Sequence, residues 1–308
     1  MPTTKRPRKG SLQFWPRKRA NKFLPRVNWD AIDSESIKNL KGFICYKAGM
    51  SSVQVKDNSD DSMTKGKTIA VPVTVLECPP MKIFSVRFYK DGKVMKDVLN
   101  ENLDKELKRR VKIPKKSKGD IDGVKDYDDV RVIVYSIVKK TGVKKRPDMI
   151  EVGLKGSVED KIKFIKENLG KEISINDVFE KNHLADLRGL TKGKGFQGPV
   201  KRFGITLKVS KSEKGRRRPG SIGPWHPARV TFRVPMAGQT GFQTRSVYNN
   251  KIIDIGEGKF KNIKNYGDIK TNYVVVCGSV QGPAKRQLIL SHALRETKKQ
   301  LKKNYELI

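Results

Sequence analysis

Cysteine, histidine and long apolar runs are all scarce in this sequence. The 308 residues include only 3 Cys and 3 His, and Cys45, Cys78 and Cys277 are far apart with no C-x-x-C pair. This excludes a disulfide or zinc framework, so we expect three reduced, buried thiols. The spacing of His, Cys and acidic residues also predicts no metal site, no cofactor and no catalytic set.

No apolar run approaches the length of a membrane span. Runs such as 273–277 are strand-sized, and no apolar stretch follows the basic N-terminus to act as a signal sequence. We therefore expect a soluble, cytoplasmic chain without a membrane partner.

Acidic residues are outnumbered two to one. Lys plus Arg number 67 and Asp plus Glu number 32, which gives a formal charge of +35. A compact protein with this excess repels itself and needs a polyanionic partner. Nucleic acid is favoured over an anionic membrane, which would require an amphipathic or apolar anchor.

The first 30 residues are typical of a basic tail. No acid precedes Asp30, and four prolines disfavour continuous helix. A disordered, solvated tail is one interpretation, and an arm that folds onto RNA is the other, because aromatic residues lie among the arginines. The residues that we expect to contact RNA here are Lys5, Arg6, Arg8, Lys9, Trp15, Arg17, Lys18 and Arg19.

Short runs rich in Val, Ile and Phe predict a mainly β core. The expected strands cover 42–48, 68–78, 81–89, 94–99, 130–138, 148–154, 251–255, 272–280 and 287–290. The Asp91-Gly92 pair predicts a tight hairpin, and Asp57–Asp61 predicts a hairpin tip rather than a calcium loop.

Apolar spacing predicts three helices. The first covers 157–169 and begins with a capping-box-like sequence at Ser157. The second covers 177–190 and would contain His183. The third is a basic amphipathic helix over 291–305, with His292 on the surface at its start.

The sharpest local motif is the G-x-G-x-x-G at Gly193, Gly195 and Gly198. A dinucleotide site needs a strand before this motif and a helix after it. We expect a helix before it, and three arginines replace the acid that would bind a ribose. The glycines instead favour close approach of a phosphate backbone, with cations supplied by Lys192, Lys194, Lys201 and Arg202.

Residues 204–238 predict a long basic loop with an unusual tip. Folded double, it gives about 17 residues each way, a reach of at most about 55 Å. Prolines flank Trp225 and His226 at the tip. One interpretation is a rigid turn that packs the Trp locally, and the other is a tip inserted into RNA. The loop residues expected to contact RNA are Arg216, Arg217, Arg218, Trp225, His226 and Arg229.

These residues carry a resemblance to the universal ribosomal protein three family of the large subunit, in its archaeal form. The family signature is matched, with its spacing, by Phe179, Asp186, Gly189, Thr191, Gly193, Lys194, Gly195, Gly198 and Arg202. Segments 10–20, 42–50 and 278–283 resemble the archaeal and eukaryotic branch.

The resemblance implies a mainly β fold with an inserted α/β region, built on a six-stranded translation-protein-type β-barrel. It implies direct binding of large-subunit (23S) rRNA near its 3′ end, contacts with neighbouring ribosomal proteins, nucleation of subunit assembly, and a loop that extends toward the peptidyl transferase centre. It implies no enzyme activity and no small-molecule substrate. Gly189 joins the three motif glycines as a site of close RNA approach.

We expect five regions along the chain. They are a basic tail (1–35), the first part of the barrel (36–99), the inserted domain (100–185), the signature and basic loop (186–245), and the barrel completion with its helix (246–308). An RNA-modifying enzyme would need a cofactor loop or an acid–base pair, and neither is evident. Charge alone does not exclude a DNA-compacting protein.

Overall fold

The chain divides into two units in a computed structural model that describes residues 10–34, 36–114, 121, 123–258 and 260–308. The smaller unit comprises Met1–Lys22 and Leu190–Thr244, and the larger unit comprises Phe23–Gly189 and Arg245–Ile308. The protein is mainly β, as the sequence predicts.

The strands of the larger unit form two sheets. In chain order, the strands and α-helices of the protein are β1 (Gly42–Asp57), β2 (Thr68–Cys78), β3 (Met81–Lys90), β4 (Lys93–Leu99), β5 (Asp129–Ser136), β6 (Met149–Gly153), α1 (Val158–Asn168), β7 (Leu184–Leu190), β8 (Gly193–Gln197), α2 (Pro199–Phe203), β9 (Gly238–Gly241), β10 (Thr244–Glu257), β11 (Asn272–Cys277), β12 (Gln287–His292), α3 (Lys298–Leu301) and β13 (Tyr305–Leu307). Short 3₁₀ helices cover Lys105–Arg109, Val138–Thr141 and Ile175–Asp177.

The larger sheet has the order β12-β7-β10-β11-β2-β1-β13. Strand β1 also pairs with β12, through Gly42 opposite Ser291 and Tyr46 opposite Gln287. The far end of β1 pairs with β13 instead, with Val55 opposite Leu307. A register shift after Lys47, typical of a β-bulge, lets this long strand bend between its two partners.

The second sheet has the order β4-β3-β5-β6 and packs with α1. Its β3–β4 turn is the predicted Asp91-Gly92 hairpin, in which both residues have the positive φ of a type I′ turn, 49° and 70°. The predicted first helix is also confirmed. Ser157 caps α1, accepting a hydrogen bond from the Asp160 backbone, while the Asp160 carboxylate accepts one from Ser157.

One hydrophobic core joins the two sheets within the larger unit. It includes Phe43 of β1, Phe88 of β3, Ile165 of α1 and Leu290 of β12, none of which is solvent-accessible. These positions follow the apolar runs of the sequence, because a strand covered on both faces is apolar at successive residues.

Trp29 belongs to this core, although the sequence predicts that it lies in the basic tail. Its side chain packs against two glycines. A Cβ added to Gly42 would lie 2.7 Å from the Trp29 ring, and a Cβ added to Gly153 would lie 2.6 Å from the Cβ of Trp29. The indole Nε1 donates to the Glu151 carbonyl at 2.9 Å. Leu24 is also buried in the core, so the chain joins the larger unit well before residue 35.

The Asp57–Asp61 segment is confirmed as the connection of a hairpin, between β1 and β2. The Asp57 carboxylate accepts hydrogen bonds from the Ser59 backbone N–H (3.0 Å) and from the hydroxyls of Ser62 (2.7 Å) and Thr64 (2.5 Å). Burial opposes ionisation, but these donors outweigh it and lower the pKa of Asp57 well below its ordinary value.

The predicted helix over 177–190 is wrong. A 3₁₀ turn ends at Asp177, and Leu184–Leu190 is strand β7, buried at every position. His183 precedes the strand and is half-buried. The apolar spacing of this segment fits a helix, but Leu184–Leu190 lies between β12 and β10 and is buried at every position, the charged Asp186 and Arg188 included. The strand therefore lacks the alternation of apolar and polar residues that marks a half-exposed strand.

The predicted C-terminal helix is also wrong. Only Lys298–Leu301 is helical, and β13 follows it. His292 ends strand β12, is buried rather than exposed, and stacks on Phe179 with ring centroids 4.3 Å apart. The sheet buries the start of this segment, and residues 295–300 carry no apolar side chain, so the apolar stripe that would stabilise a longer helix is interrupted there.

Two of the three thiols are buried, as expected, and the third is half-buried. Cys45 and Cys78 are inaccessible, Cys277 is partly accessible, and none forms a disulfide. Burial raises the pKa of Cys78 and of Cys277. Every helix in the described part of the chain is too short or too polar to cross a membrane.

Candidate nucleic-acid interface

The glycine motif of the smaller unit lies on a two-stranded ribbon. Strand β8 pairs antiparallel with β9, and the register shifts between Gly193 and Phe196. Gly195 has φ +64° at this shift, the left-handed conformation of a bulge glycine. Lys192, Lys194 and Phe196 are exposed along the ribbon, with 79% of Phe196 accessible.

The glycine motif does not form a dinucleotide site, but the reason is the ribbon itself and not a preceding helix. The expected preceding helix is strand β7, so that part of the sequence argument is wrong. The motif glycines, however, lie in or beside β8 rather than in a strand-to-helix turn, and α2 after them has five residues. The backbone N–H groups of a paired ribbon do not converge on a phosphate as a glycine-rich turn does.

The four glycines expected to admit RNA differ in their surroundings. A Cβ at Gly189 would lie 2.2 Å from Leu288 Cδ2, so packing inside the larger unit already requires glycine there. A Cβ at Gly193 would make ordinary contact at 3.5 Å, and Gly195 needs its positive φ. Gly198 has φ −69° and open space around it, so nothing within the described chain requires glycine at that position.

A cluster of aromatic rings and arginines connects the tail to the base of the loop within the smaller unit. The aromatic–arginine cluster consists of Trp15, Arg17, Arg202, Phe203 and Phe232. The guanidinium of Arg17 lies 4.7 Å from the Phe203 ring centroid and that of Arg202 lies 5.1 Å from it. The Trp15 and Phe232 rings meet edge to face at 5.7 Å. Such contacts contribute about 0.5–2 kcal/mol each.

Arg202 keeps its positive charge within this cluster. Its Nη1 donates to the Met236 carbonyl at 2.9 Å and its Nε to the Gln239 carbonyl at 3.2 Å. Burial, and then the positive charge of Arg17, lower the pKa of Arg202, although a guanidinium stays protonated at neutral pH. Two cations on one ring surface create a positive potential that suits an anionic partner.

The loop 204–237 has no helix or strand. Lys208 and Arg216 are joined by two hydrogen bonds within the loop. The Lys208 N–H donates to the Arg216 carbonyl, and Arg216 Nε donates to the Lys208 carbonyl, both at 3.1 Å. Trp225 is 87% exposed, which contradicts the interpretation in which it packs locally. The loop residues predicted to contact RNA are all exposed: Arg216, Arg217, Arg218, Trp225, His226 and Arg229.

The structure brings some predicted residues together and leaves others apart. Trp15, Arg17 and Arg202 share the aromatic–arginine cluster. Further exposed cations of the smaller unit are Lys18, Arg19, Lys192, Lys194 and Lys201. Lys5, Arg6, Arg8 and Lys9 lie outside the described residues.

Sequence reasoning missed three aromatic residues of the smaller unit: Phe196, Phe203 and Phe232. Phe196 lies within the glycine motif, where an aromatic side chain among glycines and lysines is a signal that could have found it. Nothing in the sequence distinguished Phe203, which is buried, from Phe232, which is 57% exposed.

The described side chains of this site have the features of a binding surface. In the part of the chain that the structure describes, no group of three His, Cys, Asp or Glu side chains is placed to hold a metal ion. The smaller unit presents lysines, arginines and aromatic rings on a ribbon and a loop. These features define a basic, nucleic-acid-binding class of protein.

Comparison with known proteins identifies the family. The family described as Ribosomal protein L3 matches residues 1–307, and the chain belongs to it. Members are structural ribosomal proteins rather than enzymes.

Curated relatives from archaea support this assignment. The chain is 42% identical over 310 residues to the large ribosomal subunit protein uL3 of Methanocaldococcus jannaschii, covering 94% of this chain and 92% of that protein. It is 43% identical to the protein of the same name from Archaeoglobus fulgidus, with 95% and 93% covered. For that of Methanosphaera stadtmanae the identity is 40%, with 96% and 94% covered.

Proposed function

We propose that this protein is a structural constituent of the large ribosomal subunit in the cytoplasm, where it binds 23S rRNA directly and contacts neighbouring ribosomal proteins. The observation that carries the proposal is the charge of the smaller unit. Between residues 189 and 241 the only acid is Glu213, and the predicted cations there are exposed, apart from the half-buried Arg202.

Binding follows from neutralisation of phosphates by these cations. Each phosphate contact releases counterions, so affinity falls steeply with salt, by about 10³–10⁵ between low and moderate salt for roughly ten contacts. Specificity comes from RNA shape, since A-form grooves hide the base edges. The aromatic–arginine cluster holds the tail against the base of the loop, which lowers the entropy lost when RNA orders both.

The finer assignments belong to this proposal. The protein binds near the 3′ end of the rRNA and helps to nucleate assembly, and the loop carries Trp225 toward the peptidyl transferase centre. Exposure of Trp225 supports the loop assignment, because an unpacked aromatic ring is available to stack on a base.

The fold assignment and the five-region division are also proposed, although the tail region (1–35) already belongs to the larger unit from Phe23 onward. Six strands in the order β12-β7-β10-β11-β2-β1 form the translation-protein-type barrel. The additional pairing of β1 with β12 supports closure, because it joins the two ends of that series.

Competition binding tests the proposal. The full chain is bound to protein-free 23S rRNA and challenged with duplex DNA or with rRNA of the small subunit, at matched salt. We expect retention on 23S rRNA, and co-sedimentation with large subunits after a high-salt wash. Equal displacement by duplex DNA and release from the subunits would instead indicate a general DNA-compacting protein.

A further inference from the structure

Phe196 is an exposed aromatic ring on a rigid element. It lies on β8 opposite Gln239 of β9, and 79% of its surface is accessible. Exposing a phenylalanine on a paired strand forgoes the stabilisation of burial, roughly 1.5–3 kcal/mol. The described fold gives this ring no packing role, which points to a partner.

The backbone around Phe196 is unobstructed. Gly195 and Gly198 flank it, and a Cβ built at either position would meet no atom within 4 Å. The bulge at Gly195 changes the direction of the side chains that follow it. A flat group can therefore lie on the ring while the chain that carries the group passes close to the ribbon.

The charge beside the ring selects the chemistry of that partner. Lys194 is exposed on β8 and Lys192 is exposed at the residue just before that strand, and Glu213 is the only acid between residues 189 and 241. An apolar protein surface would gain nothing from these lysines, whereas a nucleotide needs both a ring to stack on and a cation for its phosphate.

We infer that Phe196 is a stacking platform for an unpaired base of RNA, with Lys192 and Lys194 holding the adjoining phosphates. The inference rests on the proposed RNA-binding function and specifies the form of RNA at this ribbon. A base inside a duplex has both faces covered, so the ribbon selects single-stranded nucleotides such as those in a loop or bulge.

Variants of Phe196 in the full chain test the inference. The probes are protein-free 23S rRNA, a single-stranded oligouridylate and an RNA duplex of equal length. Phe196→Ala should weaken binding to the first two by roughly 5- to 150-fold, the range for loss of one stacked base, and leave duplex binding unchanged. Phe196→Tyr should keep wild-type affinity, while Phe196→Leu, which is apolar but not aromatic, should not.

Met63→Ala is the matched control, because Met63 is 99% exposed but lies in the larger unit beside Asp60 and Asp61. It should bind all three probes as wild type does. Ultraviolet cross-linking of the wild-type complex should place a cross-linked uridine on Phe196. The ring is exposed, so no variant removes core packing.

Wild-type affinity in Phe196→Ala, or full affinity in Phe196→Leu, would overturn the inference while leaving RNA binding by the chain intact. A defect seen only in assembled subunits, with a cross-link to another protein, would assign the ring to a protein partner and also overturn it. Failure of the wild-type chain to bind 23S rRNA would instead overturn the proposed function.

Discussion

The larger and smaller units differ in the partners of their arginine side chains. In the larger unit, Arg87 bonds Asp97 at 2.7 Å and Glu151 at 2.9 Å, and Arg131 pairs with Asp129 at 3.1 Å. In the smaller unit, Arg202 bonds backbone carbonyls, which carry no net charge. Carboxylates therefore neutralise these two arginines within the larger unit, whereas the hydrogen bonds of Arg202 in the smaller unit leave its net charge available to an external anion.

The largest effect that sharpens this comparison is expected from Asp186→Ala. The buried carboxylate accepts from the Asn249 N–H (2.9 Å) and the Leu294 N–H (3.0 Å), and it lies 3.5 Å from Arg188. Removing it leaves a buried cation unpaired, which should lower the free energy of unfolding by about 3–5 kcal/mol.

Urea denaturation of Asp186→Ala measures that loss, with Arg217→Ala as the control from the smaller unit. The control should remain within about 0.5 kcal/mol of wild type, since its side chain is exposed. Equal stability of the two variants would contradict the account in which the larger unit depends on its internal ion pairs and the smaller unit does not depend on Arg217.

A pH effect should appear at His292. Burial, and then the charge of His183, lower its pKa to about 4 from an ordinary value of 6.5. The unfolded chain therefore binds more protons than the folded chain between these values. Stability contributed by the neutral ring is fully present above pH 6.5 and is lost as pH falls toward 4, by up to about 3 kcal/mol.

Urea midpoints at pH 7 and pH 5 test this expectation in wild type and His292→Leu. The wild-type midpoint should fall more between the two pH values than that of the variant. A parallel fall in both proteins would show that other groups cause the acid sensitivity.

A pair of glycine substitutions should separate packing from binding. Gly189→Ala places a Cβ 2.2 Å from Leu288 Cδ2 and should destabilise the fold by about 1–3 kcal/mol. Gly198→Ala meets no atom within 4 Å and has an ordinary φ, so its unfolding curve should match wild type while its affinity for 23S rRNA falls.

Unfolding curves and filter binding of both glycine variants provide the measurement. Unchanged rRNA binding in Gly198→Ala would remove this position from the proposed interface. An unchanged unfolding midpoint in Gly189→Ala would show that the sheet yields to the added methyl group.

A smaller effect on affinity is expected from neutralising the loop. Replacing Arg216, Arg217 and Arg218 together by Ala should reduce the slope of log affinity against log salt by about 2–3, because each lost phosphate contact contributes roughly 0.7–0.9. Salt titrations of rRNA binding measure the slope. A wild-type slope would mean that these arginines do not contact phosphate.

The smallest effect on stability is expected from Trp225→Ala. The ring is 87% exposed, so unfolding should change by less than about 0.5 kcal/mol. Under the proposed function, subunits that carry the variant should nevertheless show altered peptidyl transfer and altered chemical probing at the catalytic centre. Wild-type behaviour in both assays would contradict the proposal that the loop tip reaches that centre.

The sequence predicts most of the fold because local signals and the final structure agree there. The Asp91-Gly92 turn and the Ser157 cap are each set by a few neighbouring residues. The apolar spacing of β7 predicts a helix, but the segment is a strand because it pairs with β12 and β10, which are distant in sequence. His292 was misplaced for the same reason, since its burial depends on distant parts of the chain.

The candidate site was less predictable than the fold. Charge predicts the basic loop and tail, and the proline-flanked Trp225 predicts the loop tip; Arg217 and Trp225 are both exposed, as a binding role requires. The position of Phe203 beside Arg17 depends on contacts between segments almost 190 positions apart in sequence, which a single sequence does not encode in any local pattern.

Hydrogen exchange of the full chain, alone and bound to 23S rRNA, tests most directly whether the smaller unit, and not the sheet of the larger unit, forms the rRNA-binding surface. In the unbound protein, amides of β1, β2 and β12 should exchange slowly and those of residues 204–237 should exchange at nearly unprotected rates. On rRNA binding, protection should rise in 204–237 and at β8 while the sheet is unchanged. Strong protection of the loop before binding, or none after it, would contradict the account.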